Sequence, residues 1–373
     1  MPKRTQHKSK RISKLRQKNH SWKIFQINKQ FKRKLRNLGL AFSVLVATAV
    51  VFGAIAVYRY LENPLVSASG AYPASSWDGQ AKFNLMLLTI EDENNPLSPL
   101  LEFSVLSLDP QNRSLTVMTV PTTVVVDFPN YGREKLASVY ALAALSREKQ
   151  SLAYVQKSLA NFLGIPFDGY VLMDRAGSRE LENALGSPLT FDNLKQLLSP
   201  LSWPKIPALA VAARSYLRTN LAVRDLAEVA QYSLQVRFDK IQNVVITPEL
   251  LVDRNNLETV LEKYFVDARV YEEGIKIVIL NGTSSPGLAG RVGRLIEHIG
   301  GNIIDLGNTT NYFEQSLLIG KNSGSYTVER LSTIFNIRQF RDPASFSEDD
   351  PLQIYLQRGD LILVAGLDIS GSL

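Results

Sequence analysis

The sequence contains no cysteine and only three histidines. Without cysteine the folded part of the chain has no disulfide, and with 45% apolar residues it needs none to bury a core. His7 and His20 lie near the N-terminus, so His298 is alone in the rest of the chain. A single histidine argues against a multi-histidine zinc site, and a packing or surface role for it argues against a Ser–His–Asp triad. We expect His298 to lie on an amphipathic helix in a packing or surface role.

Acidic residues are absent between Pro2 and Asn37, where the chain carries fourteen Lys or Arg. Residues 38–58 follow without a charge, and these 21 residues are enough for a helix to cross a bilayer core of about 30 Å. Because a basic flank stays in the cytoplasm, the sequence predicts a single-pass protein of the cell membrane. Its N-terminus would be cytoplasmic and its C-terminal domains extracellular. A cleaved signal peptide is the alternative, since small residues at 67–72 would permit cleavage.

The net charge of +7 belongs to this basic tail, because removing its fourteen cations leaves −7 for the rest of the chain. Cations beside a membrane helix most often bind anionic lipid headgroups, so we expect the membrane and its anionic lipids as partners. A nucleic-acid-binding arm is the alternative. It would lack a folded reader domain, and no nucleic acid partner is expected.

Composition and hydrophobic periodicity divide the chain into segments. Strand and helix patterns alternate irregularly after the stalk, which predicts the α/β class with a mixed sheet. The predicted segments are a basic cytoplasmic tail (1–37), a transmembrane helix (38–58), a stalk (59–80), an α/β domain (81–248), a connector (249–273) and a small C-terminal α/β domain (274–373).

Two predicted helices have clear boundary signals. A long helical stretch begins at Lys135 and ends at Gly164, where a proline follows two residues later. In the C-terminal domain, residues 286–299 form the second, with Ser284 or Ser285 as the N-cap before a proline.

Short motifs in the larger domain match a known pattern. They are residues 84–90 followed by Glu91, Ser107-Leu108-Asp109-Pro110, Thr119-Val120-Pro121, residues 129–132 with Lys135-Leu136, residues 163–166 with Tyr170-Val171, and Thr219-Asn220-Leu221. In the smaller domain, residues 278–283 (VILNGT) with Gly287-Leu288-Ala289 are the most specific match. Together these segments resemble the LytR–CpsA–Psr (LCP) family of cell-envelope proteins, with the family's C-terminal accessory domain.

The resemblance implies a function that the chain departs from in part. Members of the family transfer a glycopolymer from polyprenyl pyrophosphate to peptidoglycan or another wall acceptor, with cations around the pyrophosphate. Their motifs RSDT and SIPRDT supply those cations. The corresponding positions here are Pro99, Leu100 and Leu101, and then Thr122 and Thr123. The resemblance therefore implies a degenerate, non-catalytic member, a pseudoenzyme that binds polyprenyl-linked or wall glycan or scaffolds cell-wall assembly.

A few charged residues remain as site candidates. The candidate phosphate ligands are Arg133, Lys135, Arg214 and Arg218, and Glu91 is a weak candidate for a metal. Arg214 and Arg218 would lie on one helical face. The ordinary alternatives are a solvated helix start at Lys135, an acidic surface loop and scattered surface charges.

An active glycopolymer phosphotransferase is the alternative function. It would require Arg113 to converge with those four cations in one pocket, and Mg²⁺ would be its cofactor. Partners implied by the resemblance are polyprenyl phosphate lipids, peptidoglycan or LCP paralogues.

Overall fold

The structure, a computed structural model, describes most of the chain after the predicted stalk. All of its described residues belong to one compact unit, Asn63–Leu373. They are residues 77–128, 131–145, 151–188, 204–347 and 350–370. The basic tail, the predicted span at 38–58 and most of the predicted stalk lie outside the described residues. In the part that is described, no helix has both the length and the apolar character needed to cross a bilayer.

The larger part of the unit is built on a six-stranded mixed sheet. Its strand order is β7-β6-β1-β2-β3-β8, and β4 and β5 pair separately as a two-stranded ribbon. The strands are β1 (Phe83–Ile90), β2 (Leu100–Asp109), β3 (Ser114–Val120), β4 (Val125–Phe128), β5 (Gly132–Lys135), β6 (Gly169–Asp174), β7 (Arg218–Thr219) and β8 (Ile241–Val245).

Parallel pairing determines where these strands end. Strand β1 is parallel to β6 and antiparallel to β2, and β3 is antiparallel to β2 and parallel to β8. Strands β1, β3, β6 and β8 therefore all end at the same edge of the sheet, which we call the carboxyl edge.

Helices cover both faces of this sheet. Since successive side chains in a strand point to opposite faces, one strand contributes to the hydrophobic core on each face. Met86 and Leu88 of β1 face one core, and Phe83 and Leu85 face the other. Trp77 joins the second core, so the folded part already includes residues before Lys82. The helices are α1 (Val139–Leu145), α2 (Ser151–Leu163), α3 (Arg175–Leu185), α4 (Ile206–Tyr216), α5 (Val223–Gln235), α6 (Pro248–Val252), α7 (Arg254–Phe265) and α8 (Ala268–Glu273).

A second mixed sheet follows, with five strands in the order β10-β9-β13-β11-β12. Its strands are β9 (Lys276–Asn281), β10 (Asn302–Asn308), β11 (Leu317–Gly320), β12 (Gln339–Arg341) and β13 (Leu361–Ala365). Its helices are α9 (Leu288–His298), α10 (Tyr326–Phe335), α11 (Gln353–Leu356) and α12 (Leu367–Ser370). The predicted α/β class with mixed sheets is therefore confirmed.

The predicted helix start at Lys135 is wrong. Lys135 is the last residue of β5, and it lies opposite Val125 of β4. Gly132 begins β5 with φ of 75°, a left-handed conformation that favours glycine and lets the chain fold back as a hairpin. A 3₁₀ turn over Leu136–Ser138 follows β5, and α1 begins at Val139. The predicted helix end is confirmed, because Gly164 follows α2 with φ of 72°.

The predicted N-cap of the helix after the NGT segment is also wrong. Helix α9 begins at Leu288, and its N-cap is Gly287, with φ of 72° and no capping side chain. Ser285 instead forms hydrogen bonds in the turn before the helix. Its backbone N–H donates to Thr283 Oγ1 at 3.1 Å, and its hydroxyl accepts from Arg291 at 3.2 Å.

Buried polar contacts join the helices of the second sheet to the first. Arg330 of α10 donates from both terminal nitrogens to the Asp168 carboxylate, at 2.6 and 3.1 Å. Arg294 of α9 donates to the carbonyls of the last turn of α2. His298 is buried beside Glu258, with Nδ1 2.8 Å from the Gly164 carbonyl oxygen. The predicted packing role of His298 is therefore confirmed.

Candidate functional site at the carboxyl edge

Two ion pairs lie at the carboxyl edge of the six-stranded sheet. Glu91 follows β1 directly and accepts from Arg175 Nη1 at 2.9 Å. Glu93 accepts from Arg218 Nε at 2.5 Å. Two carboxylates of the acidic loop after β1 therefore pair with arginines, the exposed Glu91 with Arg175 and the half-buried Glu93 with Arg218.

Arg175 is the partner that sequence reasoning missed, although a signal for it exists. Ile90 and Asp174 are in register as the last residues of the parallel strands β1 and β6. Glu91 and Arg175 are the next residue on each strand. Predicting the β1–β6 pairing would have placed the two charges side by side.

The backbone around these pairs is also held by hydrogen bonds. Arg218 Nη1 donates to the carbonyls of Ser215 and Leu217, at 3.0 and 3.3 Å. The buried Asp174 carboxylate accepts from the Gly177 N–H at 2.6 Å, which caps the start of α3. The guanidinium of Arg218 is thus fixed at three points, with a carboxylate as one of them.

Tyr140 of α1 lies close enough to this group to feel its charges. Burial raises the pKa of the Tyr140 hydroxyl, Glu93 raises it further, and Arg218 acts in the opposite direction. The phenol therefore stays protonated near neutral pH and can serve as a hydrogen-bond donor.

Arg133 and Lys135 project from the β4–β5 ribbon. They are two residues apart on β5, so their side chains share one face of the ribbon with Val125 and Asp127. The opposite face is buried through Val126. Arg133 and Lys135 are both exposed, and within the described residues neither has a hydrogen-bond or ion-pair partner. These two cations are available to an anionic ligand.

The four predicted phosphate ligands lie on three different elements. Arg133 and Lys135 lie on β5, whereas Arg218 lies on β7 at one end of the six-stranded sheet. Arg214 is exposed in the last turn of α4, which ends at Tyr216. The predicted shared helical face of Arg214 and Arg218 is therefore wrong, because the helix stops before Arg218. Arg113 lies in the β2–β3 turn, at the opposite edge of the sheet.

The positions that carry cations in the LCP motifs hold side chains with packing or backbone-bonding roles here. Leu100 is 1% exposed and packs in the sheet core. The Thr122 hydroxyl donates to the Leu101 carbonyl at 3.4 Å. Neither side chain can compensate a phosphate charge. Among the described residues, no group of three or more His, Asp or Glu could hold a metal ion, and Glu91 remains a prediction as a ligand.

Comparison with known proteins gives a short but specific match. No family model matches the sequence. Over 91 residues the chain is 30% identical to the polyisoprenyl-teichoic acid–peptidoglycan teichoic acid transferase TagU of Enterococcus faecalis. The resemblance to the LytR–CpsA–Psr family is confirmed. The match covers 24% of this chain and 28% of TagU, so it spans less than a third of that LCP protein.

Solved LCP structures show a more distant likeness. TagV of Bacillus subtilis is 18% identical over 46% of this chain and 86% of its own, with a TM-score of 0.36. The LytR-CPS2A-psr family protein YwtF (TagT) with bound octaprenyl pyrophosphate lipid is 13% identical over 49% of this chain and 86% of its own, with a TM-score of 0.31. Both scores are too low to transfer a site.

Proposed function

We propose that this chain is a membrane-anchored LCP-like envelope protein that binds a polyprenyl-linked or wall glycan without transferring it. The observation that supports this proposal is which of the candidate cations are paired with carboxylates. Arg175 and Arg218 are paired with carboxylates, whereas Arg133 and Lys135 on the ribbon are exposed and have no hydrogen-bond or ion-pair partner among the described residues. Two exposed cations suffice to attract a pyrophosphate, whereas transfer needs a set of charges that converges on the developing anion.

The domain assignment is part of this proposal. The six-stranded sheet would be the degenerate LCP domain, and the five-stranded sheet with its NGT turn would be the accessory domain. The basic tail and the span at 38–58 would anchor both to the cell membrane, with the two sheets outside.

Binding of undecaprenyl pyrophosphate to the full-length protein in detergent micelles tests the proposal. We expect saturable binding that does not require Mg²⁺, and no release of polyprenyl phosphate when a wall acceptor is added. Mg²⁺-dependent turnover would instead establish the active phosphotransferase. If no binding is found at high ligand concentration, the remaining hypothesis is that the protein scaffolds other envelope proteins. Crosslinking would then identify those partners.

The double variant Arg133→Gln, Lys135→Gln should weaken this binding at least about tenfold. Hydrogen bonds to charged groups contribute about 1.5–3 kcal/mol each, and about 1.4 kcal/mol corresponds to a factor of ten. Arg237→Gln is the matched control, because Arg237 is 81% exposed and lies just before β8, at the opposite edge. Equal affinity of the double variant and the control would remove the ribbon from the proposed site.

Glu93→Gln tests whether pairing keeps Arg218 from the ligand. Losing the carboxylate releases the guanidinium, and we expect affinity for the pyrophosphate to rise roughly fivefold, or about 1 kcal/mol. The control is Asp239→Asn, which releases Arg237 from a pair of 3.0 Å at the opposite edge. Unchanged affinity in Glu93→Gln would show that Arg218 does not face the ligand.

A further inference from the structure

A cleft of about 690 Å³ lies where the β4–β5 ribbon, the end of α2, helices α6 and α7, and the start of α9 meet. Its apolar lining comes from Val126, Phe162, Leu251 and Leu257. Helix α9 and its N-cap contribute Gly287, Gly290, Arg291 and Arg294 to the lining. This volume is within the range of about 300–1,000 Å³ that is usual for small-molecule sites. Of the NGT motif and the residues that follow it, Gly287 lines this cleft.

The two arginines of the cleft differ in their pairing. Arg294 is saturated, because its guanidinium donates to Glu258 and to three carbonyls at the end of α2. Arg291 donates only to the Pro286 carbonyl at 2.8 Å and the Ser285 hydroxyl at 3.2 Å. Its Nε has no partner, and within the described part of the chain no carboxylate pairs with it. Arg291 thus brings an uncompensated positive charge to the cleft wall.

Asp127 also lines the cleft, from the ribbon side. It is exposed and lies opposite Arg133 in the β4–β5 register. Asp127 therefore brings a negative charge to the ribbon side of the cleft, and it has no ion pair with Arg133 among the described residues.

Gly290 has no packing role that explains it. A glycine inside a helix costs about 1 kcal/mol relative to alanine. A Cβ added at Gly290 would meet nothing within 4 Å, whereas at Gly293 it would meet Ile303 and Leu306 at 3.4 Å. Gly290 lines the cleft one residue before Arg291, so its missing side chain leaves the helix backbone open to close approach by a ligand.

We propose that this cleft binds a small amphiphile that ends in an oxyanion. The oxyanion would lie against Gly290 and Arg291, because the guanidinium fork matches a carboxylate or a phosphate. The apolar chain would lie along Phe162 and Leu257. Lipid phosphates and fatty acids share this chemistry. The ribbon cations of the proposed function, Arg133 and Lys135, are not among the residues that line this cleft.

Calorimetric titration of the full-length protein in lipid nanodiscs tests the proposal with short, soluble probes. Octyl phosphate and octanoate carry both parts of the ligand, octanol carries the chain alone, and inorganic phosphate carries the anion alone. We expect one or both amphiphiles to bind at least tenfold more tightly than octanol and phosphate. The preferred amphiphile identifies the source as lipid phosphate or fatty acid. Octanol that binds as well as the amphiphiles would overturn the proposal, as would no binding by either amphiphile.

Two variants locate the site. Gly290→Leu fills the cleft with a better helix former, and Arg291→Gln removes the charge. Each should weaken amphiphile binding at least tenfold, while Ala227→Leu, at an exposed position of α5, and Arg237→Gln should leave it unchanged. Because leucine favours the helix, Gly290→Leu also remains informative if Arg291→Gln folds poorly. Unchanged binding in Gly290→Leu would exclude this cleft.

The ribbon variant separates this proposal from the proposed function. Arg133→Gln, Lys135→Gln should weaken undecaprenyl pyrophosphate and leave octyl phosphate and octanoate unaffected. Loss of both ligand types in that variant would mean a single site at the ribbon and would overturn the separate cleft site.

Discussion

Replacing Arg330 with methionine should lower the free energy of unfolding by about 3–5 kcal/mol, the usual cost of breaking a buried ion pair on one side. Arg330 and Asp168 have side chains that are 6% and 3% exposed. Burial alone would lower the pKa of Arg330, but the paired Asp168 raises it above its ordinary value, so the guanidinium stays charged. Without the guanidinium, the buried Asp168 carboxylate keeps one hydrogen-bond donor among the described residues, the Asn84 N–H at 2.8 Å. Urea unfolding followed by tryptophan fluorescence measures the change.

Two controls separate charge burial from the loss of a side chain. Arg358→Met breaks the Asp305 pair, whose side chains are 58% and 31% exposed, and should cost less than about 1 kcal/mol. The double variant Arg330→Met, Asp168→Asn should recover part of the loss, because the second partner is then neutral. A loss of less than 1 kcal/mol in Arg330→Met would mean that water reaches the pair.

Gly164→Ala should destabilise the fold by about 3 kcal/mol or more. Gly164 has φ of 72°, and a non-glycine residue in the left-handed region costs about 1–2 kcal/mol. A Cβ there would also lie 2.6 Å from His298 Nδ1 and 2.9 Å from Arg294 Nε. Neither side chain can move away freely, because His298 is bonded to the Gly164 carbonyl and Arg294 to the end of α2. Overpacking of held side chains adds about 1–3 kcal/mol.

Gly79→Ala is the matched control for backbone strain. Gly79 has φ of 69°, and a Cβ there would meet nothing within 4 Å. The same urea titration should show a loss of about 1–2 kcal/mol for this variant. Similar decreases in the free energy of unfolding in both variants would mean that the His298 and Arg294 side chains move aside without an energetic cost.

Much of the secondary structure could be predicted because its signals are local. The end of the long helical stretch at Gly164 was predicted from a glycine followed two residues later by a proline, and α2 ends there. Strands β5 and β7 were missed, since two to four residues carry no periodicity that distinguishes a strand from a loop. Lys135 was misassigned for that reason, because a polar tetrapeptide before a helix resembles the start of the helix.

The candidate site could be predicted less well than the fold. The charged residues were identified individually, but Arg214 and Arg218 were joined by a helix that ends before Arg218. No sequence pattern predicts the cleft beside α9. Its walls come from Val126, Phe162, Leu257 and Gly290, which are far apart in the chain, so no local pattern signals it.

By itself, the sequence determined the α/β class, the end of α2 at Gly164 and the lack of cysteine for a disulfide, because composition and hydrophobic periodicity are properties of neighbouring residues. Only the tertiary structure decided which cations are neutralised. Glu91 and Arg175 are 84 residues apart, and Glu93 and Arg218 are 125 apart. Strand order, set by packing of the whole core, brings each pair together, while Arg133 and Lys135 are exposed and have no partner in the part of the chain that the structure describes.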